Sequence, residues 1–310
     1  MKKRLFALAL SLLLLCGCGA QPEAGEGGYT FTDHTGVEVT APHKPKTVAV
    51  LTSSLADLWV TAGGQVAITV GETLERGFAE ADAVLVDDGA GKTVNLELLI
   101  ASKPDFVLYS AELSGQLACA EALQAAGIPA AGFSVETFED YLALLKICTD
   151  ILQNEVAYET YGVQLQAEVD GLLTYGRSHT AQPKILFVRA GSSAKYTKAK
   201  TAENHFVCKM LAQLGTVNIA DAAPVLLDGL SVEAVLMEDP DAIFFTAMGD
   251  EAAGAAYMQS LLADPVWQTL TAVKAGKVYQ LPKELFQYKP NARWDEAYAY
   301  LIDLLYGETV

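Results

Sequence analysis

The chain has 310 residues and a formal net charge of −17, with 38 acidic against 21 basic residues. So acidic a protein is repelled by nucleic acid and by anionic lipid, which argues against both as principal partners. The length is sufficient for two modest lobes or one large domain.

The first residues resemble a bacterial lipoprotein signal. The basic stretch Lys2-Lys3-Arg4 precedes the apolar run Leu5 to Leu15, which is too short to span a bilayer as a mature helix. In that pattern a small residue stands before the lipidated cysteine, which fits Gly17-Cys18 and does not fit Leu15-Cys16. We therefore predict a signal over residues 1–18, with acylated (palmitate-bearing) Cys18 as anchor on the outer face of the cell membrane. An ordinary secretory signal and an uncleaved helix stay open as alternatives.

A polar segment and few cysteines follow the signal. Residues 21–28 have Ala24 as their only apolar residue, so we predict a flexible tether over residues 19–28. Without the signal's basic residues, 18 basic residues face 38 acidic ones, a net charge of −20. The remaining cysteines are Cys119, Cys148 and Cys208, which are widely spaced and odd in number. We interpret them as small buried apolar residues rather than a disulfide framework or a zinc site.

Short β-rich runs alternate with helical patterns along most of the chain. Tyr29 to Thr40 predicts a hairpin with Asp33-His34-Thr35-Gly36 as its turn, and a helix is predicted around Ala118 to Ala126. The predicted strands are Thr47 to Leu51, Val66 to Val70, Ala83 to Val86, Phe106 to Tyr109, Pro129 to Phe133, Lys184 to Arg189, Ala242 to Thr246 and Lys277 to Leu281. Such alternation predicts an α/β protein with mainly parallel sheets covered by helices.

A helical region separates two α/β halves. Thr137 with Asp140 predicts one helix start, and Asn154 is positioned to cap a longer helix to about residue 176. That helix would reach roughly 30 Å, and Gly162 and Gly171 weaken its prediction. A final helix is predicted near Asn291 to Tyr306. The predicted organisation is a first lobe over 29–153, a connecting helix over 154–176 and a second lobe over 177–310.

One phrase occurs in both halves. The stretches are NLELLIASKPDFVLY, Asn95 to Tyr109, and SVEAVLMEDPDAIFF, Ser231 to Phe245. Each has a helix-capping residue, an acid two positions later, and Pro-Asp before an apolar strand. Glu97 and Glu233 could serve only to start helices, since a carboxylate is favoured in a first turn. That explanation leaves open why the copies hold corresponding places in two halves.

From about Lys46 to the C-terminus the chain resembles the iron-complex and vitamin B12 substrate-binding proteins of ABC importers. The phrases that carry the resemblance occur in the family's order: VNLELLIASKPDFVLYS (Val94 to Ser110), FVRAGSSAKYT (Phe187 to Thr197), ENHFVCKMLAQLGTVNIAD (Glu203 to Asp221), GLSVEAVLMEDPDAIFF (Gly229 to Phe245) and LFQYKPNARWDEAYAYL (Leu285 to Leu301). The resemblance implies one binding domain over 46–310, with two lobes joined by one long rigid helix and a ligand cleft between them.

The resemblance also gives the repeated phrase a function. In the family, one glutamate on each lobe docks onto arginines of the membrane permease, and these positions correspond to Glu97 and Glu233. The resemblance implies a permease dimer with a cytoplasmic ATPase as partner, and we expect the protein itself to be a monomer without an intrinsic cofactor.

Local charge indicates an anionic ligand. Arg189, Lys195, Lys198, Lys200 and Lys209 lie close together in sequence against one acid, Glu203, in a chain that is otherwise acidic. Arg189 is the strongest candidate, because a guanidinium binds carboxylate or catecholate oxygens in a fork and cleft residues follow strand ends. We expect Lys200 and Lys209 to face water. Tyr196 stands where family members often place an aromatic ring against the ligand.

Other strand ends give further ligand-binding candidates. They are Ser53 with its neighbours Thr52 and Ser54, Lys92, Tyr109 with Ser110, Met248, and Tyr288 with Lys289. Tyrosine or methionine could ligate haem iron, although both residue types commonly only pack. His205 and Cys208 fall on a predicted helix with a core face and lack a nearby third ligand, so we predict neither a metal nor a catalytic site there.

The leading hypothesis is a lipid-anchored receptor that captures a ferric siderophore and delivers it to a permease. Haem and cobalamin are close alternatives. The sequence contains no Gly-x-Ser-x-Gly motif and no His-Glu-x-x-His motif, so it does not support a surface hydrolase. A ligand sensor that docks to a signalling partner also stays open.

Overall fold

A computed structural model of the chain describes residues 27–87 and 93–307. The predicted signal with Cys18, most of the predicted tether, and Lys92 lie outside these residues. Within the two described ranges, none of the helices combines the length and the apolar character that a membrane crossing requires. The predicted hairpin is confirmed: β1 (Gly28–Thr32) pairs antiparallel with β2 (Glu38–Pro42).

The first lobe contains a parallel five-stranded sheet. Its strands are β3 (Val48–Val50), β4 (Ile68–Thr69), β5 (Val84–Leu85), β6 (Phe106–Ser110) and β7 (Ala130–Phe133), in the order β5-β4-β3-β6-β7. The helices of this lobe are α1 (Ser53–Thr61), α2 (Gly71–Glu75), α3 (Leu96–Ala101), α4 (Ser114–Ala125) and α5 (Phe138–Leu152). Thr137 and Asp140 form a reciprocal capping box at the start of α5, which confirms the predicted helix start.

The connecting helix begins at Asn154, whose side chain accepts a hydrogen bond from the N–H of Ala157. It consists of α6 (Glu155–Tyr158), a π-helical segment (Glu159–Gln164) and α7 (Leu165–Arg177) in direct succession. The widened segment contains Gly162, one of the two glycines that weaken the helix pattern. The long helix itself is therefore confirmed, with a local departure where the sequence is least helical.

The second lobe contains the other parallel sheet. Its strands are β8 (Lys184–Ala190), β9 (Lys198–Ala199), β10 (Val217–Asn218), β11 (Ala242–Ala247) and β12 (Val278–Gln280), in the order β10-β8-β11-β12 with β9 antiparallel on β8. The helices are α8 (Phe206–Gln213), α9 (Ile219–Ala222), α10 (Val232–Glu238), α11 (Glu251–Leu262), α12 (Thr271–Lys274), α13 (Lys283–Phe286) and α14 (Trp294–Tyr306). The two-residue strands β9 and β10 are not among the predicted strands.

Both sheets turn one face to a shared apolar core. In β6, Phe106 and Leu108 enter this core while Val107 packs on the outer face. In β8, Ile185 and Phe187 enter it while Leu186 and Val188 pack outward. Side chains of a strand alternate between its two faces, so the next shared-face positions at the carboxyl ends are Ser110 and Arg189.

The last helix joins the lobes together with the connecting helix. α14 packs along α7, and the ring of its first residue, Trp294, lies 5.9 Å from Phe138 of the first lobe and 6.2 Å from Phe206 of the second. Trp294 is fully buried. The chain thus forms two α/β lobes with mainly parallel sheets, as predicted, over one continuous core.

Candidate ligand-binding site

The two sheets place their topological switch points at the junction of the lobes. The strand order reverses between β3 and β6 in the first lobe and between β8 and β11 in the second. Ligands of open α/β sheets bind outside the carboxyl ends of strands at such points. In the first lobe, Thr52 lies just after β3 and Ser110 is the last residue of β6. In the second lobe, Arg189 and Thr246 are the penultimate residues of β8 and β11. These ends define the candidate site.

Arg189 and Thr246 face one another across β8 and β11, as direct partners in the parallel register. Thr246 is 1% exposed, and neither its Oγ1 nor the buried Nε of Arg189 has a hydrogen-bond partner among the described residues. Burial lowers the pKa of the Arg189 guanidinium. A buried guanidinium with unused donors is suited to an anionic group of a ligand.

Several cations surround Arg189. Lys198 lies opposite Arg189 in the antiparallel pair of β9 with β8, so both side chains leave the same face. Burial, followed by the charges of Arg189 and Lys198, lowers the pKa of Lys200. Lys209 forms an ion pair with Glu136. The expectation that Lys209 faces water is therefore wrong, whereas for Lys200, which is half-buried, it stays a prediction. Lys198 is likewise part of a strand rather than of a free loop.

The same positive charges act on the side chain of His205. Its ring lies against Phe187 and Phe206, and its Nδ1 accepts a hydrogen bond from the N–H of Val207, which caps α8. Burial, with the charges of Arg189, Lys289 and Lys200, lowers the pKa of His205 to about 3. The ring is therefore neutral and carries its proton on Nε2.

Cys208, on the helix that His205 caps, makes a structural hydrogen bond. Its Sγ donates to the carbonyl oxygen of Lys200, and burial raises the pKa of the thiol. Within residues 27–87 and 93–307, no group of three or more His, Cys, Asp or Glu side chains is placed to hold a metal ion. All three cysteines of the folded part are buried and unpaired, which confirms the interpretation of them as apolar residues.

The first lobe contributes an acidic wall. A cavity of about 180 Å³ lies at the junction, lined by residues of both lobes: Thr52, Ser54, Leu55, Ser110, Glu112, Leu113, Phe133, Ser134, Val135, Lys289 and Asn291. Glu112 accepts a hydrogen bond from Ser134, and Glu136 pairs with Lys289 across the lobes. Acids thus stand on one side of the junction and most of the bases on the other. The sequence does not indicate Glu112 or Glu136, because in an acidic chain neither carboxylate stands out and their partners are distant in sequence or polar.

Arg76 joins the first lobe to helix α13 and the residues that follow it in the second lobe. Its Nη1 donates to Ser53 Oγ at 3.0 Å, its Nη2 lies 3.1 Å from Glu284, and its guanidinium lies 3.7 Å from the ring centre of Tyr288. Ser53 is 1% exposed and also donates to Glu72. The prediction for Ser53 therefore needs correction, because its hydroxyl is used within the protein and its neighbours Thr52 and Ser54 line the cavity.

Asn291 makes a further contact between the lobes. Its Nδ2 donates to the carbonyl oxygen of Ser54 at 2.8 Å and to Asp57 at 2.9 Å. Burial raises the pKa of the Asp57 carboxyl, a shift that the hydrogen bond from Asn291 and the charges of Arg76 and Arg293 oppose. Asn291 has a φ of 52°, a left-handed conformation that asparagine tolerates.

Tyr109 is placed away from the junction. It packs on the outer face of the first sheet and is 2% exposed, whereas Ser110 faces the cavity. Its prediction as a ligand contact is therefore contradicted. Strand alternation is the reason, because Phe106 and Leu108 already occupy the shared face.

The other predicted contacts lie at the rim of the second lobe. Tyr196 is 54% exposed, with the Lys195 ammonium 5.3 Å from its ring centre. Met248 is half-buried and follows β11, where its N–H donates to Ala190. Tyr288 is half-buried beneath Arg76. The roles of these residues stay predictions.

A larger cavity lies outside the junction. It has a volume of about 550 Å³ and opens between the hairpin and α4, where Tyr109, Glu38 and Glu121 contribute to its wall. None of the described residues that line it is basic. The acidic lining of this cavity is therefore unsuited to the anionic ligand that the basic residues around Arg189 predict.

Glu97 and Glu233 are both exposed in the first turn of a helix, α3 and α10 respectively. Asn95 and Ser231 cap these helices, accepting hydrogen bonds from the N–H groups of Leu98 and Ala234. Neither glutamate makes a side-chain hydrogen bond or ion pair with another described residue. Both carboxylates therefore project from well-capped helices and are accessible to a partner protein.

Two lobes with switch points at their junction define a binding protein of the cleft type. The chain belongs to the periplasmic binding protein family, whose sequence profile matches residues 48–285. This membership confirms the resemblance to the iron-complex and vitamin B12 substrate-binding proteins of ABC importers. Members of the family act outside the cytoplasm as binding proteins of transporters.

Solved structures of this fold include proteins with different ligands. SirA of Staphylococcus aureus, complexed with staphyloferrin B, is 17% identical with a TM-score of 0.68, covering 89% of this chain and 98% of that one. IsdE of S. aureus, complexed with haem, is 15% identical with a TM-score of 0.67, covering 84% and 98%. A solute-binding protein of Veillonella parvula is 20% identical with a TM-score of 0.65, covering 89% and 85%. A search of curated proteins gave no match.

Proposed function

We propose that this protein captures an anionic iron complex of the ferric siderophore type between its lobes and delivers it to an ABC permease. The observation that carries the proposal is the pair of Arg189 and Thr246, buried at a switch point with donors that the described protein groups do not use. A ligand oxygen would satisfy both groups. Burial makes such a charge-assisted bond stronger than it would be in water.

The surrounding charges support an anion over a neutral ligand. Lys198, Lys200 and Lys289 lie near Arg189, and their mutual repulsion is relieved when a multiply charged anion enters. The structural relative SirA is complexed with staphyloferrin B, which agrees with this ligand class.

Haem is the principal alternative, and cobalamin is a further one. The relative IsdE is complexed with haem, whose carboxylates would also suit Arg189. Met248 and Tyr288 are the predicted candidates for an axial ligand. The Tyr288 ring is covered by Arg76, so haem ligation there would require Arg76 to move.

Delivery is assigned to the two exposed glutamates and the predicted lipid anchor. Glu97 and Glu233 would each meet an arginine of one permease subunit, and Cys18 would hold the protein at the membrane. Exposed apolar side chains lie beside both carboxylates, including Leu98 at 39% exposed and Met237 at 80%. Charge would orient the docking, and these apolar groups would be covered by it.

Fluorescence titration of the purified protein tests the proposal. Trp294 packs against rings of both lobes, so its emission should respond when a ligand enters between them. We expect one trianionic ferric tris-catecholate to bind per chain, with weaker responses to haem and cyanocobalamin. Saturable binding of haem or cobalamin, without binding of the ferric complex, would contradict the proposed ligand and assign that alternative instead.

A further inference from the structure

Glu136 is an acid of the first lobe that contacts two lysines of the second lobe. It belongs to the first lobe, directly after β7, yet its carboxylate contacts the ammonium groups of Lys289 and, at 3.6 Å, Lys209 of the second lobe. The side chains of Glu136, Lys209 and Lys289 are only 25%, 29% and 18% exposed. The Lys289 ammonium also lies 4.7 Å from the ring centre of Phe206. This triad is a partly desolvated ion cluster between the lobes.

The carboxylate of Glu136 is ionised in this setting. Burial alone would raise the pKa of Glu136, but attraction to and hydrogen bonding with Lys289, together with the charge of Lys209, hold the pKa below its usual range. The cluster therefore already contains one negative charge supplied by the protein. Lys289 is also one of the cations whose field acts on His205, beside Arg189.

The space between the lobes is small in this arrangement. The cavity at the junction measures about 180 Å³, whereas pockets for ligands of drug size usually measure about 300–1,000 Å³. Lys289 forms part of its wall, held there by Glu136. A ligand larger than this cavity would have to displace the Lys289 side chain to fill it, and so would have to open the contact with Glu136.

We propose that Glu136 is an internal counter-ion that holds the lobes together before ligand binding and gives up Lys209 and Lys289 to an anionic ligand. This inference rests on the proposed function and adds a residue that determines charge specificity. The ligand must replace the lost ion pairs, so a multiply charged complex is favoured over a neutral one. Glu136 itself repels the anion, and this repulsion sets how much ligand charge is needed.

The variant Glu136→Gln separates this role from a ligand contact. It removes the charge with little change in volume, and Glu139→Gln is the matched control, since Glu139 is exposed three residues further along. We expect Glu136→Gln to bind trianionic ferric tris-catecholate about tenfold more tightly than the wild type, because one repulsive charge is gone. Binding of neutral ferric tris-acetohydroxamate should tighten by a smaller factor than binding of the trianion, because the neutral complex benefits only from the easier opening and has no repulsion from Glu136 to lose. Unchanged or weaker binding of the trianion by Glu136→Gln would overturn the proposal.

A second readout needs no iron complex. Spin labels on Gln124→Cys and Gln259→Cys, exposed positions of the first and second lobes, report the distance between the lobes in the mature protein, because Cys119, Cys148 and Cys208 are buried. In the unliganded protein, Glu136→Gln should broaden or lengthen this distance distribution, and Glu139→Gln should leave it unchanged. Identical distributions for all three proteins would overturn the counter-ion role.

The two experiments distinguish failure of the inference from failure of the proposed function. If the wild type binds no anionic iron complex, the proposed function fails, and the spin-label distances still decide whether Glu136 holds the lobes. If the wild type binds the trianion and Glu136→Gln does not bind it more tightly, the function stands and the inference fails.

Discussion

Asp105 and Asp241 make the same contact in the two lobes. Asp105 Oδ2 accepts hydrogen bonds of 2.9 Å from the N–H groups of Lys46 and Thr47, just before β3, and Asp241 Oδ2 accepts one of 2.8 Å from Lys184, the first residue of β8. Two positions earlier, Lys103 and Asp239 both adopt left-handed φ angles of 49° and 44°. The end of the repeated phrase therefore has a structural role, which is to join one strand to its neighbour.

This contact predicts a loss of stability on substitution. Asp105→Ala removes the charged acceptor of two exposed backbone N–H groups, which water can then solvate, so we expect the free energy of unfolding to fall by about 0.5–1.5 kcal/mol. Asp241→Ala removes one such bond and should cost less. Urea unfolding measures both changes, with the exposed Asp82→Ala as control. Wild-type stability in Asp105→Ala would contradict the assigned role.

The start of the repeated phrase gives a different prediction. If Glu97 and Glu233 dock the permease, the Gln variants should bind ligand normally yet support less uptake in cells, and the double variant should be the weakest. Each variant should lose no more than about 1 kcal/mol of stability, through the helix dipole. Uptake of labelled iron complex measures the effect, with exposed Glu121→Gln as control. Normal uptake by the double variant would leave both glutamates as helix-starting residues only.

The architecture could be predicted because its signals are local. Apolar runs bounded by turns predict every strand except β9 and β10, and the caps at Thr137 and Asn154 predict the two long helices. The equally short strands β4 and β5 lie within longer apolar runs, whereas β9 and β10 do not, so no pattern in the sequence marks them.

The site was predicted less completely, for two physical reasons. The run from Phe106 to Ser110 is buried on both faces, so its sequence does not show that Ser110 rather than Tyr109 faces the other lobe. The partner of Lys289 is Glu136, 153 positions earlier in the chain, and such pairing depends on how the lobes meet. Arg189 could be proposed from the sequence because Lys198 and Lys200, which are close to it in the chain, are also close to it in space.

His205 predicts a pH dependence of stability. Its pKa is about 3 in the folded protein against a usual 6.5, so the unfolded state binds an additional proton between these values. The stabilisation is complete above about pH 6.5 and is lost as the pH falls toward 3, with a slope of about 1.4 kcal/mol per pH unit for one proton.

The variant His205→Asn isolates this effect. Asparagine can still cap α8 but does not titrate. The slope of the unfolding free energy against pH should therefore decrease by the contribution of one proton, which is at most about 1.4 kcal/mol per pH unit. Unfolding between pH 4 and 7 measures the slope, with exposed His34→Asn as control. An unchanged slope in His205→Asn would show that this ring is not held neutral.

The lipid anchor is tested in cells. Cys18→Ala removes the only predicted acceptor for acylation, so the protein should be released to the medium or accumulate unprocessed. Membrane fractionation and mass spectrometry of the mature N-terminus measure the result. A variant that remains in the membrane with normal processing would contradict the assignment of Cys18.

The central claim is that Arg189 binds an anionic ligand between the lobes. The most direct measurement is the dissociation constant of ferric tris-catecholate for Arg189→Ala, compared with the wild type and with Lys277→Ala, an exposed lysine before β12. The loss of a charge-assisted bond predicts weakening by about 1–3 kcal/mol, or roughly 5- to 150-fold, in Arg189→Ala alone. Unchanged affinity in a variant that melts at the wild-type temperature would remove Arg189 from the site.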